Sequence, residues 1–500
     1  MFTDEVPLPG LILLGVLWLA FGIITRRISF ATPMDLPIIG LVGLLPLSFA
    51  ISIDRNLTLP KIYGLVLSIP VFYVIVNFIR RRSRLQLAAT AVIFLSFATA
   101  MLGLLGTDWN ESKFTFLSQF YQFFPNFIKA IPGAPVGQGI NANTLGGALT
   151  FFLPFLISLL WDKGGFKRML DKNSQRVSLK NILYKVGILF ALLLASITLL
   201  LSQSRGAYIG CAFGLFVLAI WKDQRFLWLI PLIALFIIIA QQDFESGSLL
   251  DLISQLDTSG EATLLNRLDL WRNTIYLIQD FPVTGIGLST FGPVFVNFYT
   301  FNIFQYGDLV FFHAHNNLLN VAVEMGLPAL VLYCTMLGGF FTMAWHTYRT
   351  GRAFIRALTI GLACGMLAHQ VFGLMDAYTL GKKFGVIMWI YFGLITALYI
   401  HRHRLNRKSK HLKTTLQIHR KPTKDQVLLH LRNLLIGVGF WLLISSASLA
   451  FINNNAILSL AIAVVGGILL GVVLVWRYRE VTSRNLPDRV AEIEEHSPAF

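Results

Sequence analysis

The run His313-Ala314-His315-Asn316-Asn317 sets two imidazoles and two amides where a long polar segment enters an apolar stretch. Such groups at the mouth of a membrane helix must be hydrated, paired or used, because hydrocarbon offers them no partner. An imidazole whose ordinary pKa is about 6.5 can take a proton from a hydroxyl at neutral pH. Positive charge comes from two other places. Arg205 sits in Ser202-Gln203-Ser204-Arg205-Gly206-Ala207, the break between two apolar stretches. Arg267 and Arg272 sit in Asn266-Arg267-Leu268-Asp269-Leu270-Trp271-Arg272. A guanidinium presents forked donors that match phosphate oxygens, and the hydroxyls and glycine around Arg205 let backbone approach a ligand. Each arginine also has a plainer use: Arg205 can snorkel to lipid phosphate, and Arg267 or Arg272 can pair with Asp269. Ser204 and Asn316 flank these groups. Asp376, just past another helix end, and Asn141 and Asn143, opening a further apolar stretch, complete the polar residues expected on one face. Arginines that neutralise a pyrophosphate beside a histidine that accepts a proton describe transfer from a pyrophosphate-activated donor to an alcohol. There is no DxD pair, no H-E-x-x-H and no external carboxylate cluster, so no metal is demanded; P-loop and dinucleotide fingerprints are absent too, and no cofactor is expected.

The elements that must position these residues are membrane helices. With 55% hydrophobic and 13% charged residues over 500 positions, the chain is too apolar for a soluble domain and reads as an all-α polytopic membrane protein. Stretches of about 17–25 apolar residues, enough to cross a bilayer, recur near 9–25, 36–52, 60–78, 86–106, 141–161, 182–202, 206–221, 226–241, 317–345, 354–374, 384–400, 431–452 and 455–476. About 12–13 transmembrane helices are therefore expected. If the segment after the first span is cytoplasmic, most of the 41 Lys and Arg residues fall in cytoplasmic loops, as the positive-inside rule requires. The net charge of +16 is then a topology signal and a contact with membrane lipids, not a nucleic-acid footprint. The acidic start, Asp4 and Glu5, lacks the basic region of a signal peptide, so the first span reads as a retained helix. Cys211, Cys334 and Cys364 lie within spans and read as packing residues.

Four parts are expected. Residues 1–106 form a transmembrane scaffold. Residues 107–400 form the core, with a short aromatic external segment at 107–140 and one large external, periplasmic loop at 242–312. Residues 401–430 are a basic cytoplasmic loop, and 431–500 a transmembrane hairpin and tail. Within the large loop, an acidic stretch from Asp243 to Glu261 precedes Leu264, Leu265, Leu268, Trp271, Ile275, Ile278 and Phe281, whose three- and four-residue steps predict an amphipathic helix over 264–280. Pro282 and Gly285-Ile286-Gly287 end it, and an aromatic stretch, 288–312, follows.

The motifs taken together, Ser-Gln-Ser-Arg205-Gly-Ala, Asn-Arg267-Leu-Asp-Leu-Trp271, Asp280-Phe-Pro282-Val-Thr-Gly285-Ile-Gly287-Leu-Ser-Thr-Phe291 and His313-Ala-His315-Asn316 with Glu324-Met-Gly326-Leu-Pro328, resemble the O-antigen ligase and O-antigen polymerase superfamily over about 140–400. The resemblance implies an inner-membrane glycosyltransferase of GT-C type. Its donor would be a polyprenyl-pyrophosphate-linked glycan, in that family undecaprenyl pyrophosphate, and its acceptor a glycan, lipid or protein hydroxyl, with no metal and no nucleotide sugar. It places the pyrophosphate on Arg205 and Arg267 and acceptor activation on His315, with His313 as a second candidate, and it sets Asp376 at the family's late acidic position. The hairpin after 430 departs from the family core. The superfamily also includes a branch named as inorganic-carbon transporters, so a small-anion, bicarbonate-type transporter or its regulator is the alternative reading.

Overall fold

The computed structural model describes residues 16, 31–79, 82–107, 109, 140–161, 179–228, 260–299, 313–377, 380, 381 and 384–410. Every named element is helical: α1 (Asp35–Gly43), α2 (Leu45–Ile51), α3 (Arg55–Phe78), α4 (Arg82–Gly106), α5 (Ala142–Leu160), α6 (Leu179–Ser202), α7 (Arg205–Lys222), α8 (Gly260–Asp280), α9 (Phe291–Phe298), α10 (Asn317–Thr350), α11 (Ala353–Phe372) and α12 (Gly385–Lys410), with a 3-10 turn at Gln224–Trp228. Among the described residues, seven helices (α3 to α7, α10 and α11) are long and apolar enough to cross a membrane, and Asp35–Ile51 and Gly385–His401 are shorter apolar stretches. The protein is an all-α polytopic membrane protein. The expected spans 9–25, 431–452 and 455–476, most of 226–241, nearly all of the segment 107–140, the acidic stretch before 260, residues 300–312 and the basic loop after 410 lie outside the described residues.

Two expectations differ in detail. The span expected over 36–52 is two helices joined by a turn at Leu44. Pro46, in the first turn of α2, has no N–H to continue the ladder from α1. The amphipathic helix expected over 264–280 is α8, which begins one turn earlier, at Gly260.

Helix α5 is the most enclosed element, packed on α11, α7 and α6. Side-chain hydroxyls tie α5 to its neighbours through backbone oxygens: Tyr391 of α12 donates to Phe151 O at 2.7 Å, and Ser158 donates to Ala357 O of α11 at 2.7 Å. Phe151 stacks on His369 with ring centroids 4.0 Å apart. Such bonds and close packing hold helices together where lipid offers no competing hydrophobic drive. The three cysteines are buried and free.

A second, smaller core ties the segment between α7 and α10 to the bundle. Leu270 and Leu277 of α8, Ile286, Phe291 and Phe295 of α9, and Ala314 and Val323 are buried together. The lock beneath it is a break in α10 at Gly326, where φ is 80° and Pro328 follows. The break takes Val323 and Glu324 carbonyls out of the helical ladder, and these accept from Ile286 N at 2.9 Å and Gly287 N at 3.0 Å; Leu327 N in turn donates to Pro282 O at 2.7 Å. Broken helices persist in a membrane protein only when neighbouring groups satisfy the freed backbone, and here the 282–287 turn does so. The same turn reaches α2 and α3 through Leu288, whose N–H donates to Ser48 Oγ at 2.9 Å and whose carbonyl accepts from Thr58 Oγ1 at 2.7 Å. A side chain at Gly326 would meet the Val283 carbonyl oxygen, and one at Gly285, with φ at 69°, would lie 2.6 Å from the Glu324 carbonyl carbon.

Gly326→Ala is therefore expected to destabilise the fold by about 1–3 kcal/mol from backbone strain, with added cost from the contact. Thermal unfolding of the purified protein in detergent should show a midpoint about 1–3 °C lower; an unchanged midpoint contradicts the lock.

Candidate functional site

Helix ends build the site. Asn141 caps α5, its side chain accepting from Asn143 N at 2.9 Å and Thr144 N at 3.1 Å. Ser204 caps α7, accepting from Ala207 N at 3.4 Å. Asn316 caps α10, accepting from Leu318 N at 3.0 Å and Leu319 N at 3.1 Å. Asx and Ser side chains are favoured caps because their oxygens satisfy orphan N–H groups of the first turn. Three helix N-termini, each the positive end of its dipole, thereby meet the C-terminal end of α11.

At their meeting point stands Asp376, 6% exposed, in the turn after α11. Its Oδ1 faces His315 Nδ1 at 3.1 Å and accepts from Ala377 N at 2.8 Å. Its Oδ2 accepts from Asn143 Nδ2, and Asn143 Oδ1 accepts from the Ser204 hydroxyl. One chain of hydrogen bonds thus runs from the start of α7, through the start of α5 and the end of α11, to the residue before the α10 cap. His313 lies beside it, Nδ1 3.8 Å from Asp376 Oδ1 and its ring centroid 4.2 Å from that of His315. The backbone N–H of His315 donates to His313 Nδ1 at 3.3 Å.

A neutral His315 that donates Nδ1–H to Asp376 keeps its lone pair on Nε2. Backbone strain accompanies this arrangement: His315 has φ 45° and Gln203, one residue before the α7 cap, φ 46°. A left-handed non-glycine residue costs about 1–3 kcal/mol and persists only where its surroundings over-determine it.

The arginines reach the same place. Arg205 is the first residue of α7, adjacent to Ser204, and its side chain lies close enough to Arg267 for the two charges to oppose each other. Arg267, on α8, is half-buried and feels Asp376; burial lowers its pKa from the ordinary arginine value, and the carboxylate counteracts this. Trp271, one turn along α8, donates from its indole Nε1 to Ala314 O at 3.0 Å, which anchors the helix carrying Arg267 to the histidine segment. Arg272 is exposed; five residues beyond Arg267, it is turned about 140° around the helix axis.

Residues from five separate segments therefore converge: Asn143, Ser204 with Arg205, Arg267, His313 with His315 and Asn316, and Asp376. The convergence places two cations, a carboxylate and two imidazoles at one end of the bundle. The ligand-capable atoms of His313, His315 and Asp376 lie within 4.8 Å of one another, near enough to share a cation. Arg205 and Arg267 add positive charge at the same place. Glu324 is buried beside the break in α10, where its backbone carbonyl secures the 282–287 turn.

Sequence reasoning missed the anchoring role of Trp271 and a set of buried polar residues beneath the histidines, Asn317, Tyr333 and Gln370. Only Asn317 carries a signal in sequence, its place directly after Asn316.

No curated protein matches the chain. Residues 190–334 match the family model described as O-Antigen ligase. The matched segment holds Ser204, Arg205, Arg267, Arg272, His313, His315 and Asn316, while Asn143 and Asp376 lie outside it. Over residues 190–334, this multi-pass membrane protein is thus similar to the O-Antigen ligase family.

Proposed function

We propose that the protein is a metal-independent glycosyltransferase of the inner membrane. It moves a glycan from a polyprenyl-pyrophosphate carrier onto an acceptor hydroxyl at the periplasmic face, as an O-antigen ligase or polysaccharide polymerase does. The observation that carries this reading is the opposition of Arg205 and Arg267 beside a His315–Asp376 pair. Two guanidinium groups beside a carboxylate–imidazole pair offer forked donors that match the oxygens of a pyrophosphate.

The reaction follows from these groups. The acceptor hydroxyl attacks the anomeric carbon of the lipid-linked sugar, its oxygen forming the new glycosidic bond while the bond from that carbon to the pyrophosphate oxygen breaks. The hydroxyl proton passes to His315 Nε2, and Asp376, held by Asn143 and Ala377 N, stabilises the imidazolium. Negative charge gathers on the departing pyrophosphate, where Arg205 and Arg267 neutralise it. His313, with Nδ1 3.8 Å from Asp376 Oδ1, is a second proton-accepting group. Ser204 and Asn316 hold the α7 and α10 ends, and Arg272 offers a further cation to the lipid-linked donor.

Purified protein given lipid-linked glycan and acceptor should transfer glycan, and His315→Ala should lower kcat by about 10²–10⁴-fold. Arg205→Ala and Arg267→Ala should each cost about 10²–10³-fold. Arg267→Lys should recover only part of the loss, because an ammonium lacks the forked donors. Full activity in all three alanine variants overturns the mechanism. Activity should also be unchanged by excess EDTA; loss that is restored by a divalent cation would assign the His313–His315–Asp376 cluster to a metal.

A further inference from the structure

Beneath the His315–Asp376 pair, a buried polar cluster joins the two chain segments that deliver those residues. Tyr333 of α10 is fully buried, and its hydroxyl sits where α10, α11 and α12 meet. It accepts from Asn317 Nδ2 at 2.8 Å and donates to Gln370 Oε1 at 3.0 Å, with Met388 Sδ 3.7 Å away. Asn317 is 3% exposed, and its backbone N–H donates to Gly373 O at 2.6 Å. Asn316 Nδ2 adds a bond to Leu374 O at 3.2 Å. Gln370 completes its own valences with Nε2 3.5 Å from Met366 Sδ.

The bonds are directional, and their place in the chain is specific. Asn317 begins the helix that follows His315, and Gln370 lies in the last turn before the segment ending at Asp376. A shift of α10 against α11 would change the 3.1 Å His315–Asp376 contact and would break the Asn317–Tyr333–Gln370 chain at the same time. Apolar packing alone tolerates small slides; a buried hydroxyl bonded on both sides does not, because each lost partner leaves a buried polar group.

We propose that Tyr333, acting with Asn317 and Gln370, is a positioning residue that sets the separation of His315 and Asp376. The proposal rests on the transferase reading above. It assigns to the Tyr333 hydroxyl no contact with substrate, and it leaves donor binding to Arg205 and Arg267, which are carried by α7 and α8.

The test is single-turnover glycan transfer by the purified full-length protein in lipid nanodiscs, with wild type, Tyr333→Phe, Gln370→Leu, the double variant and His315→Ala. Phenylalanine keeps the buried ring and removes only the hydroxyl, and leucine keeps most of the glutamine volume. A misplacement of about 1 Å near the reacting atoms can cost about 100-fold in rate. Each single variant should therefore lower the single-turnover rate constant about 10- to 100-fold, with reaction amplitude and donor KM within about twofold of wild type. The double variant should be no more than about twofold slower than the slower single, because one unit has been broken twice.

A merely structural role lowers the amplitude, which counts competent molecules, and leaves the rate constant alone; that result overturns the proposal. Rate losses that multiply in the double variant, or a raised donor KM, overturn it as well. These failures are distinct from failure of the parent reading: if wild type transfers no glycan, or His315→Ala transfers it as fast as wild type, the transferase reading falls and the positioning role falls with it.

Discussion

The arrangement depends on the Asp376 carboxylate. It is buried at a junction of helix ends, where a bare negative charge would be expensive, and it is retained by being bonded from several directions. His315, Asn143 and its own neighbour Ala377 contact it directly, and Arg267 bears on it through space. These partners come from segments far apart in sequence, so satisfying one carboxylate fixes the relative placement of α5, α8, α10 and α11. The same bonds that make the charge tolerable hold the imidazole in one orientation. Stability of the junction and orientation of the imidazole are two consequences of one set of contacts.

Above this point the surplus is positive. Arg205 begins α7, Arg267 comes in on α8, and the N-termini of α5, α7 and α10 turn their positive dipole ends the same way. Below it the helices are secured without charge, through the Tyr333 hydroxyl and the backbone exchange at the α10 break. Cationic groups gather on one side, and uncharged hydrogen bonds secure the other. The 282–287 turn links the two levels: it closes the break in α10, and its far end bonds to α2 and α3 through Leu288.

Much of this was legible in sequence because it rests on local rules. Apolar length marked the spans, three- and four-residue steps marked α8, and Ser204 and Asn316 stood where cap residues belong. The candidate residues Arg205, Arg267, His313, His315, Asn143 and Asp376 were visible because polar side chains in an apolar chain are few and each needs a reason. What was not legible depends on pairing across distance. Nothing local to Asn143 names Asp376 as its partner, and a tyrosine within an apolar helix gives no sign that it bonds Asn317 and Gln370. The split of 35–51 into two helices was hidden because hydropathy registers length but not a turn at Leu44. Gly326 and Pro328 signalled a break in α10, yet which backbone would repair it was fixed only by the tertiary fold.

The central claim is that the Asp376-held His315 serves transfer of a lipid-linked glycan. The most direct measurement is analysis of surface and lipid-linked glycans in cells whose only copy carries His315→Ala, beside wild type and a deletion. The account predicts that both altered strains accumulate polyprenyl-linked glycan and lose the mature product. A glycan profile identical to wild type in both would contradict it.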